Sequence, residues 1–193
     1  MMIGIDFDNT IACYDRAFAF AAAEMGLLSD TDGLDKRAVR DRLRAAGGET
    51  DWMRLQGRVY GFYIERAQLF DGFAAFVSQA RAAGCDMRII SHKSRHGHFD
   101  PQRIDLIEAA RGWMARRGFF APNGLGFAAG HVGFYPTRAD KLAAIAAAGC
   151  DVFIDDLPEV LHDAAFPAAC RPLLFAPAEA GGDWAGIARA VFS

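Results

Sequence analysis

The chain has 193 residues, 52% of them hydrophobic, which is enough to bury one core with a substantial insertion and excludes disordered and collagen-like classes. A formal net charge of −3 gives no electrostatic basis for binding a nucleic-acid polymer or an anionic membrane, so an anionic substrate has to be gathered by local charges. No charged leader with an apolar run opens the sequence and no stretch of ~18 apolar residues follows, so the expected compartment is the cytoplasm.

The four cysteines, Cys13, Cys85, Cys150 and Cys170, are widely spaced and form no C-x-x-C pair, as expected of reduced core residues. Near the start, Ile3-Gly4-Ile5-Asp6-Phe7-Asp8-Asn9-Thr10 reads as a short buried strand that ends in two acids. Successive side chains of an extended chain alternate faces, which places Asp6 and Asp8 on one side and Ile5 and Phe7 toward the core. Two converging carboxylates repel, and a hard cation such as Mg²⁺ relieves the repulsion. A lone D-x-D is equally compatible with a turn or a helix cap, for which Asn9-Thr10 is suited.

From about Asp15 to Glu65 the period changes to 3.6 and three helices are expected. The first spans about Arg16–Leu28 and stops near Gly33; the second, Asp35–Ala46, stops at Gly47-Gly48. The third, Asp51–Arg66, carries Trp52, Tyr60, Phe62 and Tyr63 between Arg54, Arg58 and Arg66. An aromatic stripe at helical spacing is core packing, whereas the arginines have the chemistry to meet an anionic substrate.

After Asp71-Gly72 strands and helices alternate. A helix over Phe73–Ala83 feeds a strand over Asp86–Ile90, which ends at Ser91-His92-Lys93. Asp100-Pro101 is read as opening a helix that runs to about Arg117, with proline in its first turn. Leu125–Ala128 is the third strand candidate, and Thr137-Arg138-Ala139-Asp140 has the form of a capping box opening a helix over Lys141–Ala148. Asp151–Ile154 is a fourth strand ending in Asp155-Asp156. A helix over Leu157–Ala165, a strand over Pro172–Phe175 and a helix over Asp183–Phe192 follow. This alternation implies an α/β fold with a doubly wound parallel sheet, whose ligands collect beyond the carboxyl ends of the strands, where every polar cluster falls.

Asp6, Asp8 and Thr10 in DFDNT, Ser91 in SHK, Lys141, and Asp155-Asp156 in IDD stand in an order that resembles the haloacid dehalogenase-like (HAD) hydrolase superfamily. The resemblance spans the whole chain and implies a HAD-like Rossmannoid core, residues 1–14 and 69–193, with a small α-helical cap over residues 15–68. It also implies a phosphatase that hydrolyses a small phosphorylated metabolite with Mg²⁺ as cofactor. In that chemistry Asp6 is the nucleophile that forms an aspartyl-phosphate and Asp8 the general acid and base. Lys141 steadies the developing charge, and Ser91 with the following backbone N–H groups holds the phosphate.

Metal ligands implied by the resemblance are Asp6, Asp8 through its backbone carbonyl, Asp156 and, second to it, Asp155. Thr10 falls in the phosphate-binding motif with an expected structural role around the turn. The basic run His92-Lys93-Ser94-Arg95-His96-Gly97-His98 departs from the commoner family pattern. It reads either as a solvated loop or as a lip at which His92, Lys93 and Arg95 meet a second anionic group. A phosphomutase uses the same residues, and a non-catalytic phospho-receiver or binding domain shares the acids, the hydroxyl and the lysine. A nucleotide, a sugar phosphate and a lipid-precursor phosphate are all compatible substrates, since Trp52, Arg54, Arg58 and Tyr63 do not discriminate among them.

Overall fold

A computed structural model describes residues 1–179 and 181–193. Five strands form one parallel sheet: β1 (Met2–Ile5), β4 (Asp86–His92), β5 (Val132–Tyr135), β6 (Val152–Asp155) and β7 (Arg171–Leu174), in the spatial order β5-β4-β1-β6-β7. Two further strands of two residues each, β2 (Ala12–Cys13) and β3 (Gln68–Leu69), pair with one another. The helices are α1 (Asp15–Glu24), α2 (Lys36–Ala45), α3 (Glu49–Tyr60), α4 (Phe73–Ala82), α5 (Leu106–Arg116), α6 (Arg138–Ala147), α7 (Pro158–Leu161) and α8 (Trp184–Phe192). This is the expected α/β fold with a doubly wound parallel sheet. Among the described residues, no helix is long and apolar enough to cross a membrane.

The chain divides into two units. The sheet unit holds residues 1–12, 69–93 and 117–193. Its central strand β1 buries Ile3, Gly4 and Ile5 completely or nearly so, and β6 buries all four of its residues, because both strands are flanked by neighbours on either side. Gly4 is required by close packing, since a Cβ there would lie 2.5 Å from the Phe153 ring and 2.8 Å from Cys150 Sγ. Phe73 and Phe76 of α4, Phe175 just after β7, and Trp184 of α8 pack ring against ring, with the centroid of Trp184 4.8–5.2 Å from the other three.

The helical unit holds residues 13–68 and 94–116. Phe18 of α1 stacks on Trp52 of α3, and Tyr14 meets Tyr60 edge to face, so the aromatic stripe is core packing as its spacing implies. Its arginines are engaged within the unit: Arg54 with Asp51, Arg58 over Phe62, and Arg66 over Phe20. Residues 94–116, including α5, group with the helices rather than with the core, residues 69–193, in which the resemblance places them. Gly57 and Gly97 bring the two segments together, since a Cβ on Gly97 would lie 2.3 Å from the Gly57 Cα.

Several boundaries differ from the expected ones for identifiable reasons. The helix expected from Pro101 begins at Leu106, because Asp105 is its cap: its Oδ1 accepts from the backbone N–H groups of Ile107 and Glu108. Leu125–Ala128 is not a strand, and the edge strand forms instead at Val132–Tyr135. The third helix ends at Tyr60 before Gly61, with a short 3₁₀ turn at Ile64–Arg66. The helix expected over Leu157–Ala165 is the single turn of α7.

Candidate active site

The site is built from the register of the sheet. Ile5 pairs with Ile154 of β6 and Ile89 of β4, so Asp6 and Asp155, each one residue further on, are brought side by side where the chain turns from one flank of β1 to the other. The Asp6 N–H donates to the Ile154 carbonyl at 2.9 Å, which carries the ladder one step past the strand and fixes the Asp6 backbone. Asn9 then adopts φ 61°, a left-handed conformation that asparagine tolerates, and the N–H groups of Ile11 and Ala12 both donate to the Phe7 carbonyl. A tight loop therefore closes directly behind the two acids.

Lys141 enters from α6. The Thr137 hydroxyl oxygen accepts from the Asp140 N–H at 3.1 Å and so fixes the start of the helix. Lys141, Leu142 and Ile145 then form the buried stripe of α6, which turns the lysine inward. Its Nζ donates to Asp6 Oδ1 and to Asp155 Oδ2, each at 2.5 Å, and is 1% exposed. The other oxygen of Asp155, Oδ1, accepts from the Leu157 N–H at 3.0 Å.

Asp6, Asp155 and Asp156 each offer an oxygen within 4.8 Å of the other two. Burial pushes the Asp6 carboxyl well above its ordinary range; Lys141 draws it down, and Asp155 and Asp156 push it up again. Asp155 is raised by burial as well, against the pull of Lys141. For Lys141 burial works to discharge the ammonium, but Asp6 and Asp155 outweigh it and leave its pKa raised. One lysine thus stays charged among more carboxylate than it can neutralise.

A second lysine completes the set. Lys93 Nζ donates to Asp8 Oδ2 at 2.6 Å, its side chain only 2% exposed, beside the Phe7 ring. It is neither a solvated residue nor part of an exposed lip, because β4 runs on through His92 and the alternation of Ser91, His92 and Lys93 turns the first and third inward. The His92 ring lies against the Pro136 carbonyl, 2.9 Å away, while Arg95 pairs with Asp105 within the helical unit. Ser91 Oγ is buried and has no hydrogen-bond partner among the described residues, a position that an arriving oxyanion would satisfy.

Thr10 is fully buried, with its hydroxyl making a long contact of 3.5 Å to Asp156 Oδ1 and its carbonyl accepting from Trp184 Nε1 at 3.2 Å. Its role is therefore to hold the turn and Asp156. The contribution of Trp184 was not visible in the sequence, since nothing distinguishes a tryptophan opening the last helix from one that only packs. The structure thus joins Asp6, Lys141, Asp155 and Asp156 in one group and Asp8 with Lys93 in another.

Four carboxylates face two ammonium groups, leaving two negative charges that one divalent cation would balance. The all-oxygen donor set suits Mg²⁺, so the residues present fit that ion. Asp155 commits both oxygens to Lys141 and the Leu157 N–H, which leaves Asp6 and Asp156 as the better direct ligands.

Among solved structures, the chain is similar to a HAD-superfamily hydrolase from Ehrlichia chaffeensis, at 16% identity over 98% of this chain and 95% of that one, with a TM-score of 0.54. It is also similar to a haloacid dehalogenase-like family hydrolase from Xanthomonas campestris, at 13% identity over 99% and 94% of the two chains, with a TM-score of 0.53. No family model and no curated protein matches the sequence. At such identities the likeness concerns the path of the chain, and on that ground this protein has the HAD-like fold.

Proposed function

We propose that this protein is a Mg²⁺-dependent phosphatase that hydrolyses a small phosphorylated metabolite through an aspartyl-phosphate on Asp6. The observation that carries the reading is the convergence of Asp6, Asp155 and Asp156 at the switch point of the sheet, with Lys141 bonded to the first two. Phosphoryl transfer is catalysed mainly by placing groups in line and neutralising charge, and this group of residues supplies both.

Asp6 attacks phosphorus and the ester oxygen departs, taking a proton from Asp8. Water then displaces Asp6, and its proton returns to Asp8. Lys141 keeps the Asp6 carboxylate oriented and lends positive charge to the phosphoryl oxygens. Ser91 Oγ supplies a hydrogen bond to one of those oxygens. Asp6 and Asp156, with Asp155 behind them, would hold Mg²⁺, which when bound shields the attacking carboxylate from a dianionic phosphate.

A panel of phosphate monoesters with Mg²⁺, read by phosphate release, tests the proposal. Turnover of one or more esters is expected, falling by about 10⁴-fold or more in Asp6→Asn, as for a residue whose loss removes the covalent step. No hydrolysis across a broad panel, with Asp6→Asn binding the same esters as well as the wild type does, would refute it.

A further inference from the structure

Lys93 stands outside the metal group and the phosphoryl group, yet its burial is as complete as that of Lys141. An ammonium with 2% exposure has to be paired, and its partner at 2.6 Å is Asp8 Oδ2. The pair is asymmetric, since the Asp8 side chain is 17% exposed. A substrate can therefore reach Asp8 far more readily than Lys93. The lysine is also held from its backbone: its N–H donates to the Tyr135 carbonyl at 2.9 Å, extending the β4–β5 ladder past His92. On the other side, the short bridge between Asp8 and Ala12 fixes the Asp8 backbone. Both ends of the ion pair thus stand on rigid supports.

We propose that Lys93 is a positioning residue for Asp8, and that this pairing fits the enzyme to esters of aliphatic alcohols, whose oxygen departs only if protonated. The proposal rests on the phosphatase reading. Binding of the dianionic ester beside Asp6 favours a proton on the other oxygen of Asp8. In the first step the ester P–O bond breaks, the Asp6–phosphorus bond forms, and that proton passes to the departing oxygen. The negative charge that then appears on Asp8 falls on the oxygen already facing Lys93, a preorganised donor aimed at charge as it develops. In the second step a water proton returns to Asp8 as the Asp6–phosphorus bond breaks. Aryl esters with acidic leaving groups need no such proton, and this separates the two substrate types.

The test is a leaving-group series, from p-nitrophenyl phosphate to simple alkyl phosphates, on wild type, Lys93→Met, Asp8→Asn and the double variant, with folding followed by circular dichroism. Methionine keeps the apolar stem against Phe7 and removes the charge. For Lys93→Met we expect a loss of about 10²-fold in kcat on alkyl phosphates, with KM little changed, and a loss of only several-fold on p-nitrophenyl phosphate. The double variant should be no slower than Asp8→Asn alone. An equal loss on all esters, a change confined to KM, or additive losses in the double variant would each overturn the proposal while leaving the phosphatase reading standing. A wild type inactive on every ester would remove both. Should Lys93→Met fail to fold, Lys93→Gln replaces it, and failure of both to fold would assign Lys93 to the fold instead.

Discussion

Two buried clusters of charge, one in each unit, have contrasting character. At the end of the sheet Lys141 makes two contacts of 2.5 Å and is still outnumbered by Asp6, Asp155 and Asp156. In the helical unit Asp100 is as deeply buried, but it faces Arg58 at 3.8 Å, accepts from the Gln102 N–H at 3.2 Å through Oδ1, and leaves Oδ2 without a partner among the described residues. There one acid meets one guanidinium, which also donates to Gln102 and stacks on Phe62. Burial of charge is common to both clusters and does not distinguish them. Surplus of one sign does, because only a surplus leaves work for a ligand to do.

This contrast is broken most severely by Lys141→Ala. Removing the ammonium that contacts both Asp6 and Asp155 should destabilise the metal-free protein by about 3–5 kcal/mol, the usual effect of stranding a buried charge. Mg²⁺ should restore part of that loss, since an ion that binds the folded state alone stabilises it. Urea unfolding with Mg²⁺ and with EDTA measures both effects, and a loss indifferent to Mg²⁺ would remove the distinction between the clusters. Asp100→Ala sharpens it from the other side. That change should reduce stability by about 1–3 kcal/mol, and by the same amount with or without Mg²⁺.

The smallest effect concerns the thiols. Burial pushes Cys150 up to about 11 and Cys170 up to about 12, whereas in an unfolded chain such groups ionise near ~8.5. Their folded values are raised, so their contribution to stability is intact below about pH 8.5 and is lost as pH rises toward the folded values. Denaturation midpoints should therefore decline above about pH 9. Thiol labelling of the native protein at pH 8 should reach the half-buried Cys13 and Cys85 well before Cys150 and Cys170.

The sequence made some of this legible because local chemistry and global position agreed. Asp6 and Asp155 close apolar runs whose burial fixes their register, and the Thr137 cap locates Lys141 within its helix. Other features depended on partners that no local pattern specifies. The periodicity of α5 shows that it is a helix but not which unit it packs in; the close approach of Gly57 and Gly97 decides that, and two distant glycines carry no such signal by themselves. The edge strand Val132–Tyr135 is masked by Gly133, which lowers strand propensity. Lys93 was obscured by its neighbours: five of the seven residues from His92 to His98 are histidine, lysine or arginine, a run that resembles a solvated loop. Strand alternation, extended three residues beyond the apolar run that ends at Ile90, would have turned Lys93 inward.

The bond from Trp184 Nε1 to the Thr10 carbonyl spans 174 positions of the chain. A ribosome-bound polypeptide that has not yet released residue 184 therefore contains every acid and lysine of the site but lacks the clasp on the turn that supports them. Maturation of the nascent protein would be governed by this late contact, with competence arriving only after the closing helix docks.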